Sequence, residues 1–337
     1  LLAEFLHRNI EARPAMFDGQ NRTHTARGPR APSLRGCAAS CVATAVVVSL
    51  AACAAVGTGH ETRTPLPRAG APALGPAAPR EKRGVTLSRA LGPVLPRGDT
   101  RLAVAVLDLD SADQEIASYG KGATFETASI IKVGILATLL LQAQDEGREL
   151  TDDERQYAVA MIRTSDNYAA DVLWRTIGAA DGLGAANERL GLTSTRGGPG
   201  IRWGLTRTTA MDQVRLLRAV FAHGPAGSAR PPEGLNQASR AFIGDLMGSI
   251  TEEQDWGVSA AGSRGSRWAL KNGWLQRSTT GLWIINSVGQ VTVHGHRYLV
   301  SVLSGGNRSM EAGIALVERA ARAAVGAASA HARPWPQ

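Results

Sequence analysis

Hydrophobic and polar positions change their period several times along this chain, and each change predicts an element. RLAVAVLDLD (101–110) is nearly continuous in apolar residues, SAD makes a turn, and QEIASYG (114–120) follows, so this stretch predicts a strand hairpin. Residues 129–147 are apolar on almost every face, the pattern of a helix enclosed by a core. DDERQYAVAMIR (152–163) and YAADVLWRTI (168–177) are amphipathic helices, and a short helix is expected at 180–190. LGLTSTRGGPGIRWGLTR (190–207) has turn composition and reads as a loop. Thr209 and Asp212 then open a helix over AMDQVRLLRAVF in the spacing of a capping box. A further helix is expected near 237–249. SRWALKN, GLWIINSVGQVTV and HRYLVSVLSG return to strand patterning, and a last helix runs from about Ser309 to Val325.

Strands at both ends, with helices between and after them, predict an α+β fold: one antiparallel sheet with N- and C-terminal helices packed on it and an inserted all-α subdomain. The folded domain is expected over residues 86–326, its sheet part at about 86–128 and 250–326 and its helical part at about 129–249, with 327–337 as a tail. A cleft is expected where the two parts meet.

The first hundred residues read differently. Arg27, Arg30 and Arg35 precede an apolar run from Cys37 to Ala52, too short to span a bilayer comfortably but of the right size for an export signal. The run ends Leu50-Ala51-Ala52-Cys53, which resembles a bacterial lipoprotein box, so residues 1–53 are expected to be a signal region with Cys53 as the lipidation site. Residues 54–85 are rich in Ala, Pro and Gly and are expected to form a linker to a membrane anchor. All three cysteines lie within this early region, which leaves the domain without an internal disulfide or cysteine metal site.

Charge narrows the partners. The formal net charge is +8, but residues 1–100 hold 13 Lys+Arg against 6 Asp+Glu, leaving 24 against 23 in the remainder. The domain is nearly neutral, which argues against nucleic acid as a partner. His294 and His296 form an H-x-H pair at a strand turn, but without a nearby third ligand in sequence they read as a hairpin; no metal and no cofactor are expected. No G-x-S-x-G elbow or Gly-rich phosphate loop is present. Trp203, Trp256 and Trp268 are expected as core or loop anchors.

Only four lysines occur, Lys82, Lys121, Lys132 and Lys271, against 33 arginines. A lysine retained in such a chain has chemistry that a guanidinium lacks, because burial lowers its pKa and makes its neutral amine available as a base. Lys132 lies three residues after Ser129 at the start of the greasy helix, where the two side chains would share a face and free backbone N–H groups would favour an oxyanion. Ser165-Asp166-Asn167 falls in a helix break, and Lys271-Asn272-Gly273 lies at the end of a predicted strand, next to Trp274.

S-x-x-K, S-D-N and K-x-G, in this order and on these elements, resemble the signature motifs of the penicillin-recognising serine hydrolases, especially class A β-lactamases and penicillin-binding proteins. The resemblance spans about residues 86–326 and implies a β-lactamase/transpeptidase-like fold. It implies Ser129 as the acylated nucleophile, Lys132 as its base or proton relay, and Ser165 as the proton donor to the leaving nitrogen. Asn167 would bind the substrate amide, Lys271 its carboxylate, and Asn272, Gly273 and Trp274 would line the same strand. The oxyanion hole would be the backbone N–H groups of Ser129 and Trp274, with Asp166 structural. The implied protein is an extracytoplasmic monomer acting on β-lactam or D-alanyl peptide substrates, and a non-catalytic envelope lipoprotein binding wall peptides is the alternative.

Three departures from that pattern stand out. Asn272, counted with Gly273 and Trp274 among the implied substrate-binding residues, replaces the usual Thr or Ser, and its amide can still donate a hydrogen bond to the substrate carboxylate. Ser165 follows Ser129 by only 36 positions, fewer than in typical class A enzymes. The segment Arg189–Met211 contains no Asp or Glu, where class A enzymes carry the glutamate that activates water for release of the acyl group. Acylation followed by slow turnover is therefore expected, since loss of such a base costs about 100- to 10,000-fold.

Overall fold

Strands from the two ends of the folded region pair side by side in the computed structural model, which describes residues 82–222 and 234–330 of the 337. The expected export signal, Cys53 and the linker up to residue 81 lie outside the described residues. In chain order the elements are α1 (Arg83–Leu91), β1 (Arg101–Asp108), β2 (Ala117–Tyr119), β3 (Phe125–Glu126), α2 (Ile131–Asp145), α3 (Asp152–Arg163), α4 (Asn167–Thr176) and α5 (Ala179–Leu190). They continue as β4 (Arg207–Thr208), α6 (Ala210–Phe221), α7 (Gln237–Met247), β5 (Trp268–Gln276), β6 (Trp283–Val293), β7 (His296–Asn307) and α8 (Met310–Ser329).

The main sheet has the order β2-β1-β7-β6-β5 and is antiparallel throughout. β1 pairs with β7 from Arg101↔Gly305 to Asp108↔Tyr298, which closes the chain end on end and leaves β5 as a free edge. β1 is buried from Leu102 to Asp108, so both of its faces must be covered. Ala103, Ala105 and Leu107 join one core with α2, α4 and α6, whereas Val106 lies beside Leu87 of α1 and Ala327 and Ala328 of α8. The sheet is thus sandwiched between the terminal helices and the helical region, an α+β architecture.

α2 is the helix buried on every side. Ala128–Asp145 is long and apolar enough to cross a membrane by composition, but most of this stretch is buried inside the domain. Full burial of each Leu, Ile or Val contributes about 1.5–3 kcal/mol, and Val133, Ile135, Leu136 and Leu139 are all fully buried. Such a helix orders the residues just before it, including the candidate nucleophile.

Several boundaries differ from the sequence pattern for local reasons. Arg83–Val85, expected as linker, already belong to α1. α8 continues past the expected end of the domain through Ser329, with Ala327 and Ala328 buried against the sheet. The second hairpin strand shrinks to Ala117–Tyr119, with Gln114 at φ 42° breaking the extended run before it. Thr209 caps α6 through the Asp212 N–H, but the Asp212 side chain turns away to Ser194 N and Thr195 Oγ1, both at 2.8 Å, so the box is half closed. A complete capping box is formed instead by Thr151 and Glu154 at α3.

Candidate active site

Ser129 stands on a 3-10 turn, Ala128–Ile130, rather than in the helix proper, which begins at Ile131. The preceding residue, Ala128, has φ 47°, a left-handed conformation that costs an alanine about 1–2 kcal/mol and persists because its surroundings impose it. Those surroundings are specific. Asn286 of β6 donates both amide hydrogens to the carbonyls of Glu126 (2.9 Å) and Thr127 (3.0 Å), and Thr127 N–H donates to Thr206 O at 2.8 Å. The turn is pinned from the sheet on one side and from the 191–209 loop on the other.

Lys132 is fully buried, and its Nζ points to the second motif: it donates to Ser165 O at 2.7 Å, to Asn167 Oδ1 at 2.9 Å and to Ser165 Oγ at 3.2 Å. The first two acceptors are carbonyl oxygens, which the two hydrogens of a neutral amine can satisfy. Burial holds the Lys132 ammonium well below the usual lysine range, Lys271 pushes the same way, and Asp166 and Asp171 push back. A base with available neutral form is thereby placed beside Ser165.

The Ser165-Asp166-Asn167 break is built for this contact. Ser165 adopts φ 58°, Asp166 caps α4 by accepting the Ala169 N–H at 2.6 Å, and Asn167 is the first residue of that helix. Asp166 is structural in this arrangement, and Ser165 and Asn167 face the lysine.

The third motif lies on the edge strand. Lys271 is fully buried, with Nζ 3.2 Å from Asn272 O and 3.5 Å from Gln254 Oε1, and burial brings its pKa down to about 7. No carboxylate pairs with it among the described residues. Gly273 lies against the serine turn: an added Cβ would fall 2.9 Å from both Ser129 N and Ile130 N. Trp274 is half-buried, its ring centroid 6.2 Å from that of Trp256.

Asn272 departs from expectation. Its amide hydrogens go to Gln254 O (2.8 Å) and Trp256 O (2.9 Å), its side chain is fully buried, and its Oδ1 has no partner. The donor anticipated for a substrate carboxylate is turned inward to hold the 252–261 segment, because residues alternate across a strand and position 272 takes the opposite face from Lys271 and Gly273.

Two further residues join the site unannounced by any motif. The indole of Trp203 covers Lys132, with Nζ 4.7 Å from the ring centroid, and its Nε1 donates to Asp171 Oδ1 at 2.8 Å. Trp203 was expected only as an anchor. The available signal was that Asp171 follows Asn167 by four residues and so shares its helix face. Gln254 is the other: its Nε2 donates to Thr164 O at 3.2 Å while its Oε1 faces Lys271, joining the second and third motifs.

Among the described residues no three His, Cys, Asp or Glu side chains converge around the histidine pair. His294 (φ 50°) and Gly295 form the β6–β7 turn, and His296 Nδ1 lies 3.2 Å from the buried Asp108 carboxylate, a partner distant in sequence.

Residues 153–328 match the model of the beta-lactamase enzyme family. That match begins after Ser129 and Lys132. The chain is 35% identical over 115 residues to the Mycobacterium tuberculosis protein named "Putative lipoprotein LppW", a stretch covering 34% of this chain and 36% of that protein, so it spans about a third of its curated relative. Among solved structures, TLA-1 extended-spectrum β-lactamase superposes with TM-score 0.63 at 15% identity, over 73% of this chain and 99% of that one. A class A β-lactamase from Bacteroides cellulosilyticus gives TM-score 0.62 at 15% identity, over 74% and 100%. PBP-A, also solved as a mutant in acyl-enzyme complex with penicillin G, gives TM-score 0.59 at 20% identity, over 73% of this chain and 96% of that one. Because the family model matches more than half of the sequence and the same fold recurs in solved class A enzymes, this chain belongs to the beta-lactamase enzyme family.

Proposed function

We propose that the protein is a serine hydrolase that forms an acyl-enzyme with β-lactams or D-alanyl peptides and releases it slowly. The observation that carries this reading is the Lys132 amine, desolvated and hydrogen-bonded to Ser165 and Asn167, three residues from Ser129. In the reaction, Ser129 Oγ attacks the substrate carbonyl carbon and its proton passes to the neutral Lys132 amine. The amide C–N bond then breaks, and the nitrogen leaves with a proton delivered through Ser165 Oγ, which lies 3.2 Å from Lys132 Nζ. Lys271, which pairs with no carboxylate among the described residues, would draw the substrate carboxylate, while the Ser129 and Trp274 N–H groups would stabilise the oxyanion.

Hydrolysis of the ester requires water to lose a proton as its oxygen bonds to the acyl carbon and Ser129 Oγ leaves. The 191–209 loop supplies no carboxylate for that proton, which favours a long-lived adduct. Incubating the full chain with penicillin G and following intact mass over time should give an adduct on Ser129 that is absent from Ser129→Ala. A parent mass that never changes would sink the reading. Reversible binding of wall peptides, unaffected by Ser129→Ala, would then favour a non-catalytic envelope lipoprotein; the inward turn of Asn272 motivates that second reading.

The lipoprotein name of the Mycobacterium relative and the Leu50–Cys53 pattern support an extracytoplasmic location with a lipid anchor at Cys53. Metabolic labelling with a fatty acid should mark the parent and spare Cys53→Ala.

A further inference from the structure

We infer that Trp203, held by Asp171, is a positioning residue for Lys132: its ring keeps the amine on Ser165 and Asn167 and keeps water away from it, prolonging any acyl-enzyme on Ser129. The inference rests on the acyl-enzyme reading above and adds a cause for slow release other than a missing acid.

The geometry joins three groups: the amine lies over the face of the indole and the Asp171 carboxylate meets its edge. At 4.7 Å from the ring centroid, Nζ is within the range of a cation–π contact, so the indole occupies the side of the amine left open by Ser165 and Asn167. Asp171 Oδ1 accepts the indole N–H at 2.8 Å, and this charge-assisted bond fixes the ring orientation. The loop beneath is held as well. Trp174 Nε1 donates to Gly200 O at 2.8 Å, and a Cβ at Gly197 would strike the Ala180 Cβ at 2.6 Å, so the loop is fastened to both α4 and α5. A Cβ at Gly204 would lie 3.8 Å from Ala128 Cα, which places the loop beside the nucleophile turn.

A carboxylate does therefore reach this site, from α4 rather than from the loop. It meets the indole N–H at the ring edge, while the amine lies over the ring face. Burial is the largest cause of the fall in the proton affinity of Lys132, and the charged groups acting on it are Lys271 from β5, which lowers it further, and Asp166 and Asp171 from α4 and its cap, which raise it.

The test uses the full chain with Trp203→Phe, Trp203→Ala and, should the alanine variant not fold, Trp203→Gln. Two quantities are read: the Lys132 titration midpoint, from NMR of isotopically labelled lysine in a chain with four lysines, and the lifetime of the penicillin adduct by intact mass. Phenylalanine, which keeps a ring over the amine but loses the bond to Asp171, should lie between the parent and the alanine variant in both. Alanine or glutamine should raise the midpoint by about one pH unit or more as water reaches the amine. The same variants should shorten the adduct lifetime by about tenfold or more. Unchanged midpoint and lifetime in the alanine or glutamine variant overturn the inference, and so does a phenylalanine variant that behaves like them. A parent that takes up no penicillin defeats the acyl-enzyme reading alone, and the Lys132 midpoints still decide the role of the indole.

Discussion

Gly273 lies so close to Ser129 that a Cβ added to it would sit 2.9 Å from the serine nitrogen and 2.7 Å from Thr127 O. The obstacles are backbone atoms, held by Asn286 and unable to yield as a flexible side chain would. Gly273→Ala should therefore destabilise the fold by about 1–3 kcal/mol, measured by urea unfolding. It should also slow the proposed acylation sharply, because the part that moves carries the candidate nucleophile. An alanine variant with parental stability and acylation rate would contradict this packing.

Ser165 combines a hydroxyl near Lys132 with a backbone at φ 58°. Ser165→Gly keeps that backbone without strain and removes only the hydroxyl. Acylation should fall by about 100- to 10,000-fold if Ser165 is the proton carrier, while thermal unfolding changes little. Ser165→Val, a β-branched residue forced to positive φ, should lose stability as well.

Asn272 invites a reversion to threonine, the residue usual at this position in the family it resembles. The structure points the other way. Both amide hydrogens are committed to Gln254 O and Trp256 O, so Asn272→Thr should cost about 1–3 kcal/mol by stranding buried carbonyls and should bring no gain in acylation rate. A faster and equally stable threonine variant would show that the 252–261 segment rearranges in use.

Lys271 links stability to pH. Its folded pKa of about 7 lies below the value near 10.4 of an unfolded lysine, so between those values the unfolded chain binds more protons than the native one. Stability contributed at this position should then rise with pH from about 7 to about 10, opposite to the behaviour of a lysine that gains an acidic partner. Lys271→Met should be more stable than the parent near neutrality and should lose part of the parent's rise, by about 1–3 kcal/mol between about pH 7 and pH 9 in urea unfolding. Equal pH slopes in the two proteins would mean that Lys271 is hydrated.

Much of this was legible in the sequence because the elements depend on local periodicity. The uniformly apolar run after Ser129 is a helix buried on all sides, and α3 occupies the residues its amphipathic pattern marks. The first two motifs could be placed on their elements because each sits at a break, where Ser, Asp and Asn have turn preferences of their own, whereas Lys271-Asn272-Gly273 lies inside β5 rather than at its end. What could not be read depends on contacts distant in sequence. Nothing around Ala128 announces its positive φ, which β6 imposes through Asn286, more than 150 residues away. Nothing in SVGQVTVHGHRY ties His296 to Asp108, because that pair is made by the β1–β7 register. Trp203 resembled any loop tryptophan until α4 brought Asp171 to its indole. The small β3–β4 pair, two residues on each side, is below the length at which alternation carries a signal.

The pairing of β1 with β7 also sets an order of events during folding. Ser129, Lys132 and Ser165 belong to a stretch that can form helices as soon as it exists, but Lys271, Gly273 and the Asn286 that bends the nucleophile turn all come from the last third of the chain. Joining β1 to β7 closes a loop of nearly two hundred residues, a slow, non-local step. A chain that ended before β7 would carry the serine, its lysine and the residues of β5 and β6 without the strand that joins β6 and β5 to β1, so the reactivity proposed for Ser129 is a property acquired only when the two ends of the domain have met.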